Sequence, residues 1–500
     1  MADIKKILVA NRGEIALRVI HTCKELGIES VAVYSRPDAD SPHVLHADES
    51  VFIGEAASSE SYLVIDKIID AAKQTGADAI HPGYGFLSEN ASFSERCEKE
   101  GIIFIGPKPK AISLMGDKTE ARELVTQAGI PTPPGLKSEL KDIEEARRVA
   151  DDIGYPILVK AAAGGGGKGM RIVHKKEEFE ASIKAAKSEA RNAFGDDRIY
   201  IEKYLEQPRH VEFQIIADTH GKILHVFDRE CSVQRRHQKV IEEAPCAILT
   251  PELRSKMAEA AIKAARACDY IGAGTIEFMV DKNLDFYFLE MNTRLQVEHP
   301  VTEMISGVDL VALQILVAEG KELPFEQDDL SIDGHAIECR IYAEDPADKF
   351  LPSTGLLKKH RVPTGSGVRV DAGVEEGQKI TINYDPMISK LSVHGPTREI
   401  ARKRMLRALD EYEIAGCKTT IPFCEFTLNH PAFINAEYDT HFVPDHFTPE
   451  KMQPKQDESD VALAAALLKN AQSGESSGTK QKALVDDHRE ASQWWKKRRA

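Results

Sequence analysis

The chain has 500 residues, of which 42% are apolar and 29% charged, and this is typical of a soluble globular protein with roughly two to four domains. Its net charge of −15 argues against a nucleic-acid partner, because such a partner would require a basic surface. No signal peptide or membrane-spanning stretch is visible, and the eight cysteines form no Cys-x-x-Cys pair. These features predict a cytoplasmic protein with reduced, mostly buried thiols and neither a disulfide framework nor a zinc site.

The first part of the chain, to about residue 113, alternates between strand-like and helical segments. Strands are predicted at residues 7–10, 30–34, 79–81 and 102–106, with a helix at 13–26. This strand–helix–strand series predicts an open parallel sheet.

Two segments of this region follow predicted strands. Residues 11–14 (Asn-Arg-Gly-Glu) come directly after the first strand, where parallel sheets place ligand loops. They lack the G-x-G-x-x-G fingerprint, so no nicotinamide cofactor is predicted. His81 is either a catalytic residue or, as we favour, a residue that hydrogen-bonds locally.

Residues 113–128 are predicted to form one helix with Lys118 near its N-terminal end. That end of a helix attracts anions, although from position alone a surface lysine is the favoured interpretation. Beyond it, strands at 155–161 and 171–174 flank the glycine-rich segment 163–170. This segment is not a Walker A loop, and its position beside Lys160 favours a phosphate lid over a flexible linker.

The segment 229–239 holds five potential cations within eleven residues of an acidic protein. It is interpreted either as an exposed basic loop or as an anion site. Around it, strands are predicted at 199–205, 211–217 and 223–227, and helices at 175–194 and 250–269.

Residues 274–280 and 285–290 are predicted to form a hairpin. If its turn centres between Asn283 and Leu284, Glu277 faces Glu290 across the two strands. Carboxylates that face each other repel unless a cation lies between them. With Asn292, they predict a Mg²⁺ site that would serve nucleotide phosphates.

The segment 288–299 alternates between apolar and polar residues. As one extended strand, it would present five polar side chains on a single face: Glu290, Asn292, Arg294, Gln296 and Glu298. Arg294 suits an oxyanion and Glu298 a general base, whereas an exposed polar face is the alternative interpretation. Beyond residue 331 the pattern becomes strand-rich, with Glu338 and Arg340 in one strand and a helix at 397–413.

Four motifs together resemble those of biotin carboxylase, the ATP-grasp component of biotin-dependent carboxylases. They are residues 11–16 (NRGEIA), 81–90 (HPGYGFLSEN), 234–239 (QRRHQK) and 290–299 (EMNTRLQVEH). The resemblance covers about residues 3–447. It implies an N-terminal α/β domain with an open parallel sheet (1–113), an ATP-grasp domain (114–330) with a mobile lid (about 134–204), and a β-rich C-terminal domain (331–447). The overall class is thus α/β and α+β, and residues 448–500 are predicted to form a flexible tail.

The resemblance also implies roles for individual residues. Lys118 and Lys160 are similar to lysines on the ATP phosphates, and Gly166 and Gly167 to lid glycines. The implied nucleotide contacts are Glu202, Lys203, Tyr204, Leu205, His210 and His237. The implied Mg²⁺ or Mn²⁺ ligands are Glu277, Glu290 and Asn292. The implied bicarbonate pocket comprises Lys239, Arg294, Gln296 and the backbone of Val297, with Glu298 as base and Arg340 facing biotin. Ala163 stands where the family usually has glycine.

The implied reaction uses ATP and bicarbonate to carboxylate biotin. No Ala-Met-Lys-Met motif is present, so biotin is predicted to come on a separate carrier protein, and the further predicted partner is a carboxyltransferase subunit. The expected acceptor is acetyl-CoA or another acyl-CoA, with pyruvate as the alternative, and a homodimer is implied. A carbamoyl-phosphate synthetase or another ATP-grasp ligase, and a non-enzymatic scaffold, are the rival interpretations.

Overall fold

A five-stranded parallel sheet in the order β3-β2-β1-β4-β5 forms the N-terminal part of the computed structural model. The structure describes residues 3–135, 143–161, 170–194, 197–236 and 238–452. The strands are β1 (Lys6–Val9), β2 (Glu29–Ser35), β3 (Glu49–Gly54), β4 (Ala79–His81) and β5 (Ile103–Phe104). The accompanying helices are α1 (Gly13–Glu25), α2 (Pro42–His46), α3 (Ile65–Thr75) and α4 (Ala91–Lys99).

The predicted parallel sheet is confirmed, but the sequence analysis missed β3. This strand lies at the sheet edge and most of its residues are at least partly exposed. Its sequence therefore lacks the continuous apolar run that marks a central parallel strand.

The predicted single helix over 113–128 is wrong, because two helices occupy this region. They are α5 (Pro109–Gly116) and α6 (Lys118–Gln127). Asp117 separates them in an extended conformation and its carboxylate accepts hydrogen bonds from the amides of Thr119 and Glu120. An N-cap of this kind starts a new helix, so Lys118 is the first residue of α6.

A small antiparallel sheet in the order β7-β6-β8 follows. Its elements are α7 (Ile143–Ile153), β6 (Ile157–Ala161), β7 (Arg171–Val173), α8 (Phe179–Phe194) and β8 (Ile199–Lys203). The two strands predicted to flank the glycine-rich segment are thus present, and they pair with each other. The segment itself, including Gly166 and Gly167, lies outside the described residues.

The next elements are β9 (Arg209–Ala217), β10 (Ile223–Arg235), β11 (Gln238–Ala244), α9 (Pro251–Ala267), β12 (Gly272–Val280), β13 (Phe286–Asn292), α10 (His299–Ser306) and α11 (Leu310–Ala318). Of the two interpretations of the segment 229–239, the exposed basic loop is wrong, since residues 229–235 and 238–239 belong to the paired strands β10 and β11. The hairpin β12–β13 has the predicted register, with Glu277 opposite Glu290.

The C-terminal part contains β14 (His335–Tyr342), β15 (Glu344–Asp345), β16 (Leu351–Pro352), β17 (Gly355–Leu356), β18 (Lys359–Arg361), β19 (Val368–Ala372), β20 (Lys379–Ile380), β21 (Met387–Gly395), α12 (Arg398–Asp410), β22 (Glu413–Ala415), α13 (Ile421–Asn429), α14 (Pro431–Ile434) and α15 (Phe442–His446). Three of these strands extend the central sheet, which becomes an eight-stranded antiparallel sheet in the order β13-β12-β9-β10-β11-β14-β21-β19. One sheet therefore runs from the ATP-grasp region into the β-rich region.

The two faces of this sheet differ in chemistry. On β9, Val211, Phe213 and Ile215 pack into an apolar core with α9, while Glu212 and Gln214 point to the opposite face. Glu212 and Gln214 are nevertheless fully buried. The second face is therefore a buried polar surface, and the site residues lie on it.

Among the described residues no single helix is long and apolar enough to cross a membrane. The bent pair α10 and α11, at 95° to each other, passes the same test by length and composition only. Both helices are largely buried in the protein core. Residues Met1–Thr448 form one unit and Pro449–Ala500 another.

Candidate active site

A row of carboxylates crosses the polar face of the central sheet. Glu277 on β12 lies opposite Glu290 on β13 and opposite Glu212 on β9. Glu212 in turn faces Arg229 on β10. Adjacent like charges destabilise a sheet, so cations must compensate for this row.

Lys239 is the main compensating cation. Its Nζ donates to Oε2 of Glu212 at 2.6 Å, to Oε1 of Glu277 at 2.9 Å and to Oε1 of Glu298 at 2.6 Å. Although burial lowers it, the pKa of Lys239 is held well above its usual value by these carboxylates. One ammonium group thus joins the predicted metal residue Glu277 to the predicted base Glu298.

Glu298 has a second cationic partner in Arg340 of β14. Arg340 Nη2 lies 3.0 Å from Oε2 of Glu298, and the guanidinium also contacts Glu242 at 2.6 Å. Although burial raises it, the pKa of Glu298 is held far below its usual range by Lys239, Arg340 and Arg229. Glu298 is therefore an ionised carboxylate.

The predicted strand over 288–299 ends at Asn292, so the expectation of one extended polar face is wrong. Residues 293–298 form an irregular turn that leads into α10. Arg294 bends back within it, with Nε donating to Glu89 at 2.8 Å and Nη2 to the side-chain oxygen of Asn292 at 3.0 Å. Gln296 still points to the site, because its amide donates to Glu277 at 2.8 Å.

Arg229 was missed as an individual residue by the sequence analysis. Its guanidinium is fully buried and donates to five side chains: Glu212, Gln214, Thr275, Gln296 and Thr302. These acceptors come from several separate elements of the chain. Arg229 therefore fixes the Gln296 side chain through a hydrogen bond. Its charge also contributes to the low pKa of Glu298.

The predicted metal ligands lie together. Asn292 donates to Glu277 at 2.8 Å, and Glu290 faces Glu277 in the strand register. Burial and the neighbouring Glu277 raise the pKa of Glu290, which Lys118 partly offsets. The part of this increase that comes from Glu277 reflects repulsion between the two carboxylates. A hard divalent cation, which prefers oxygen ligands, would relieve this repulsion, so the donor set fits such an ion.

His210 lies beside the predicted metal ligand Glu277. Its Nε2 lies 2.9 Å from Glu277 and its Nδ1 2.8 Å from the Gln234 amide. Although burial lowers it, the pKa of His210 is raised by Glu277. His237 lies outside the described residues, as do the lid glycines.

The predicted nucleotide residues on β6 and β8 contact each other. Lys160 Nζ lies 2.5 Å from Glu202, which also pairs with Arg122 of α6. Lys203 donates from its backbone to the Pro134 carbonyl at 2.7 Å, and the Tyr204 hydroxyl lies 3.1 Å from His441 Nε2. Leu205 follows directly and is half-buried. Arg122 was not predicted, because its position on a helix resembles that of a surface residue.

His81 has the local role that we favoured. Its Nδ1 accepts a hydrogen bond from the Gly83 amide at 3.0 Å, and its Nε2 lies 3.3 Å from the Gln314 side chain. Burial lowers the pKa of His81 to about 4, so the ring is neutral at pH 7. These contacts tie the ring to neighbouring protein groups.

Three family models match consecutive parts of the chain. They describe the biotin carboxylase N-terminal domain at residues 3–112, the carbamoyl-phosphate synthase L chain ATP-binding domain at 117–326, and the biotin carboxylase C-terminal domain at 338–445. The middle model bears the name of the rival ligase, but both flanking models are specific to biotin carboxylase.

Relatives cover most of the chain. It is 56% identical to a pyruvate carboxylase subunit of Methanothermobacter thermautotrophicus over 88% of this chain and 90% of that protein. It is 52% identical to biotin carboxylase 1 of Bacillus subtilis over 88% of this chain and 98% of that protein. A structure of the biotin carboxylase domain dimer of Hydrogenobacter thermophilus 2-oxoglutarate carboxylase, with MgADP, ADP and bicarbonate, is 48% identical. It covers 89% of this chain and 98% of that one, with a TM-score of 0.84. The chain therefore belongs to the biotin carboxylase family and is an ATP-dependent ligase.

Proposed function

We propose that this chain carboxylates biotin on a separate carrier protein, using ATP and bicarbonate, and that the residues around Lys239 perform the chemistry. One observation carries the proposal: the Lys239 ammonium lies within 2.9 Å of both Glu277 and Glu298. It thereby connects a site suited to nucleotide phosphates and a cation with an ionised base. Both reactants of bicarbonate activation would then meet at one lysine.

The first proposed step is the activation of bicarbonate. Bicarbonate is a poor nucleophile, and Glu298 would remove its proton while Lys239, Arg294, Gln296 and the Val297 backbone hold the anion. The oxygen then attacks the γ-phosphoryl group of ATP, releasing ADP and forming carboxyphosphate. The lysines Lys118 and Lys160 would neutralise charge on the transferred phosphoryl group. Mg²⁺ or Mn²⁺ held by Glu277, Glu290 and Asn292 would supply further neutralisation.

The second proposed step transfers the carboxyl group to biotin. Carboxyphosphate breaks down to CO₂ and phosphate, and the phosphate takes the N–H proton of the biotin ureido group. The ureido oxygen becomes enolate-like, and Arg340 supplies a permanent positive charge beside it. Biotin nitrogen then attacks CO₂ to give carboxybiotin.

Nucleotide binding is proposed to involve the remaining predicted residues. Glu202, Lys203, Tyr204 and Leu205 would contact adenine at the end of β8, with His210 and His237 nearby. Gly166 and Gly167 would close over the phosphates as part of a lid at about 134–204. Closure would exclude water, which otherwise hydrolyses carboxyphosphate. Lys160 would have to exchange Glu202 for phosphate, since the two now form an ion pair.

The proposed partners are a biotin carrier protein and a carboxyltransferase, and a homodimer is proposed for the chain itself. Biotin carboxylases of the multi-subunit type work with partners of these two kinds. The final acceptor depends on the carboxyltransferase and is acetyl-CoA or another acyl-CoA, or pyruvate. The 56% identity with a pyruvate carboxylase subunit supports pyruvate as the acceptor. A cytoplasmic location stays a prediction.

The base assignment is tested by Glu298→Gln, which keeps the shape of the side chain but removes its basicity. ADP release that depends on both bicarbonate and free biotin should fall by about 100-fold or more, while ATP binding stays at the wild-type level. Glu55→Gln, on an exposed carboxylate paired with Arg36, is the control. Near-normal turnover of Glu298→Gln would contradict the assignment. Wild-type ATP cleavage that needs bicarbonate but ignores biotin would instead favour another ATP-grasp ligase.

A further inference from the structure

Two motifs are not explained by the proposed chemistry. They are residues 11–14 (Asn-Arg-Gly-Glu) and residues 384–391 (Tyr-Asp-Pro-Met-Ile-Ser-Lys-Leu). The structure accounts for the first two residues of the earlier motif, since Asn11 donates to the Pro82 and Tyr84 carbonyls and Arg12 pairs with Asp38. These contacts do not involve Glu14.

Glu14 instead meets the later motif. Lys390 of β21 is 0% exposed, and its Nζ lies 3.3 Å from Glu14 Oε2. The start of α1 also packs closely against the end of β19, because a Cβ added at Gly373, the residue after β19, would lie 2.8 Å from the Glu14 nitrogen. Glu14 and Lys390 therefore form a buried pair between α1 and the central sheet.

The hydrogen bond of Lys390 goes elsewhere. Its Nζ donates to the carbonyl oxygen of Val297 at 2.8 Å, whereas Glu14 lies at 3.3 Å and Asp371 at 3.7 Å. Val297 lies between Gln296 and Glu298 in the irregular turn, which pairs with no strand in the described part of the chain. The Val297 carbonyl is partly buried and needs a donor, and Lys390 provides it.

Burying the Glu14–Lys390 pair costs free energy if the pair serves only the stability of the fold. Both carboxylate oxygens of Glu14 are buried without a hydrogen bond from the described residues. Burial raises the pKa of Glu14 to about 7, although the charge of Lys390 opposes the shift. Packed apolar residues often stabilise a protein more than a buried ion pair of this kind. The feature that an apolar residue could not replace is the N–H donor to Val297.

We propose that Lys390, with Glu14 as its counter-charge, is a positioning residue for the irregular turn 293–298, which carries the proposed bicarbonate-binding residues. Its hydrogen bond holds the Val297 peptide so that the backbone of Val297 and the carboxylate of Glu298 face the reactant. Lys390 itself touches neither reactant. Arg340, the neighbour of Lys390 across β14 and β21, keeps its separate role beside Glu298.

This inference rests on the proposed function, and steady-state kinetics separate the two. Lys390→Met removes the donor and should raise KM for bicarbonate by about tenfold, the effect of losing a charged hydrogen bond. KM for ATP should stay within about twofold, because ATP does not depend on the Val297 carbonyl. Lys390→Arg, which keeps a cationic donor, should recover part of the bicarbonate affinity.

Two further variants keep the test interpretable. Lys390→Met combined with Glu14→Gln removes the unpaired acid, so the protein should unfold near the wild-type temperature yet retain the bicarbonate defect. Arg398→Met removes another largely buried cation, paired with Glu243 at 2.7 Å, and should leave KM for bicarbonate unchanged. A wild-type KM for bicarbonate in the double variant, or a parallel rise of both KM values, would overturn the inference. Absence of bicarbonate-dependent ATP cleavage by the wild-type protein would overturn the proposed function instead.

Discussion

Glu298 and Glu14 are both buried carboxylates within reach of a lysine, yet their pKa values shift in opposite directions. Glu298 belongs to the Lys239 cluster, which comprises Lys239, Glu212, Glu277 and Glu298. Glu14 belongs to the Lys390 cluster, which comprises Lys390, Glu14, Asp371 and the Val297 carbonyl. The pKa of Glu298 is held far below its usual range, whereas that of Glu14 is raised to about 7.

The difference follows from the hydrogen-bond geometry. Glu298 receives a hydrogen bond on each oxygen, from Lys239 at 2.6 Å and from Arg340 at 3.0 Å. Lys390 gives its hydrogen bond to a neutral carbonyl and lies farther from Glu14. Within the same cluster Asp371 keeps a low pKa, because Arg369 donates to both of its oxygens. Burial alone therefore does not decide the charge of a carboxylate; the donors that reach it do.

The largest expected effect on stability comes from Arg229→Met. The substitution leaves Glu212 buried opposite Glu277 with one cation fewer, so the free energy of unfolding should fall by about 3–5 kcal/mol. Urea denaturation followed by circular dichroism measures the change. Arg229→Lys, which keeps the charge but loses the planar array of donors, should lie between this variant and the wild type. A loss below about 1 kcal/mol would show that the Lys239 cluster does not need Arg229.

The next largest effect should be on activity, in Lys239→Met. Without the ammonium, Glu277, Glu298 and Glu212 repel each other, and the pKa of Glu298 should rise. The rate of bicarbonate-dependent ADP release should fall by about 100-fold or more. Lys263→Met, on an exposed lysine of α9 paired with Glu259, is the matched control. Activity within about threefold of the wild type would remove Lys239 from the proposed mechanism.

A smaller effect is expected from Glu14→Gln, in the pH dependence of stability. The pKa of Glu14 is about 7 when folded and 4.5 when unfolded, so the native state binds more protons between these values. Its contribution to stability is therefore present below pH 4.5 and is lost as the pH rises through 7. Lys390, Asp371 and Arg340 are the charged groups that act on Glu14.

Removing this carboxyl should make stability fall less steeply between pH 5 and pH 7, by up to about 1.4 kcal/mol per pH unit. Urea denaturation at several pH values measures the slope. Glu338, whose pKa is also raised to about 7, makes stability fall with rising pH in the same way. Its contribution is present in both the variant and the wild type. An identical slope in the variant and the wild type would mean that Glu14 does not gain a proton on folding in this range.

The smallest effect is expected at the surface. Arg36 and Glu55 form an ion pair at 2.6 Å, but both side chains are more than half exposed. Arg36→Ala should therefore leave the unfolding temperature measurably unchanged, because water and salt screen such a pair. A clear drop in the unfolding temperature would contradict the view that burial, and not proximity alone, makes the ion pairs of the two clusters important for stability.

Local patterns in the sequence were sufficient for several features. The alternation of apolar runs with helical periodicity predicted the parallel sheet. The short turn of the β12–β13 hairpin predicted the pairing of Glu277 with Glu290. The helix α9 was also predicted, and in the structure Thr250 is its N-cap. These features depend on residues close together in the chain, so spacing alone determines them.

Other features could not be inferred from spacing. The segment 229–239 has the composition of an exposed basic loop, yet Arg229 is 0% exposed because its acceptors converge from β9, β12, α10 and the turn before α10. Alternation suggested that the strand after Phe286 continues to His299, but Arg294 bends back to Glu89 of the N-terminal part. The partners in both cases are distant in sequence.

The sequence by itself therefore determined most of the secondary-structure types, the hairpin register and the set of acidic, basic and amide residues that the family resemblance assigns to the site. The tertiary structure alone decided which carboxylates are ionised. It placed Lys239 between three acids and turned Lys390 towards the Val297 carbonyl and away from close contact with Glu14. The physical reason is that the charge of a buried acid depends on the number and distance of its donors, and the lysine and arginine donors nearest to Glu298 and Glu14 lie on strands far from these acids in the chain.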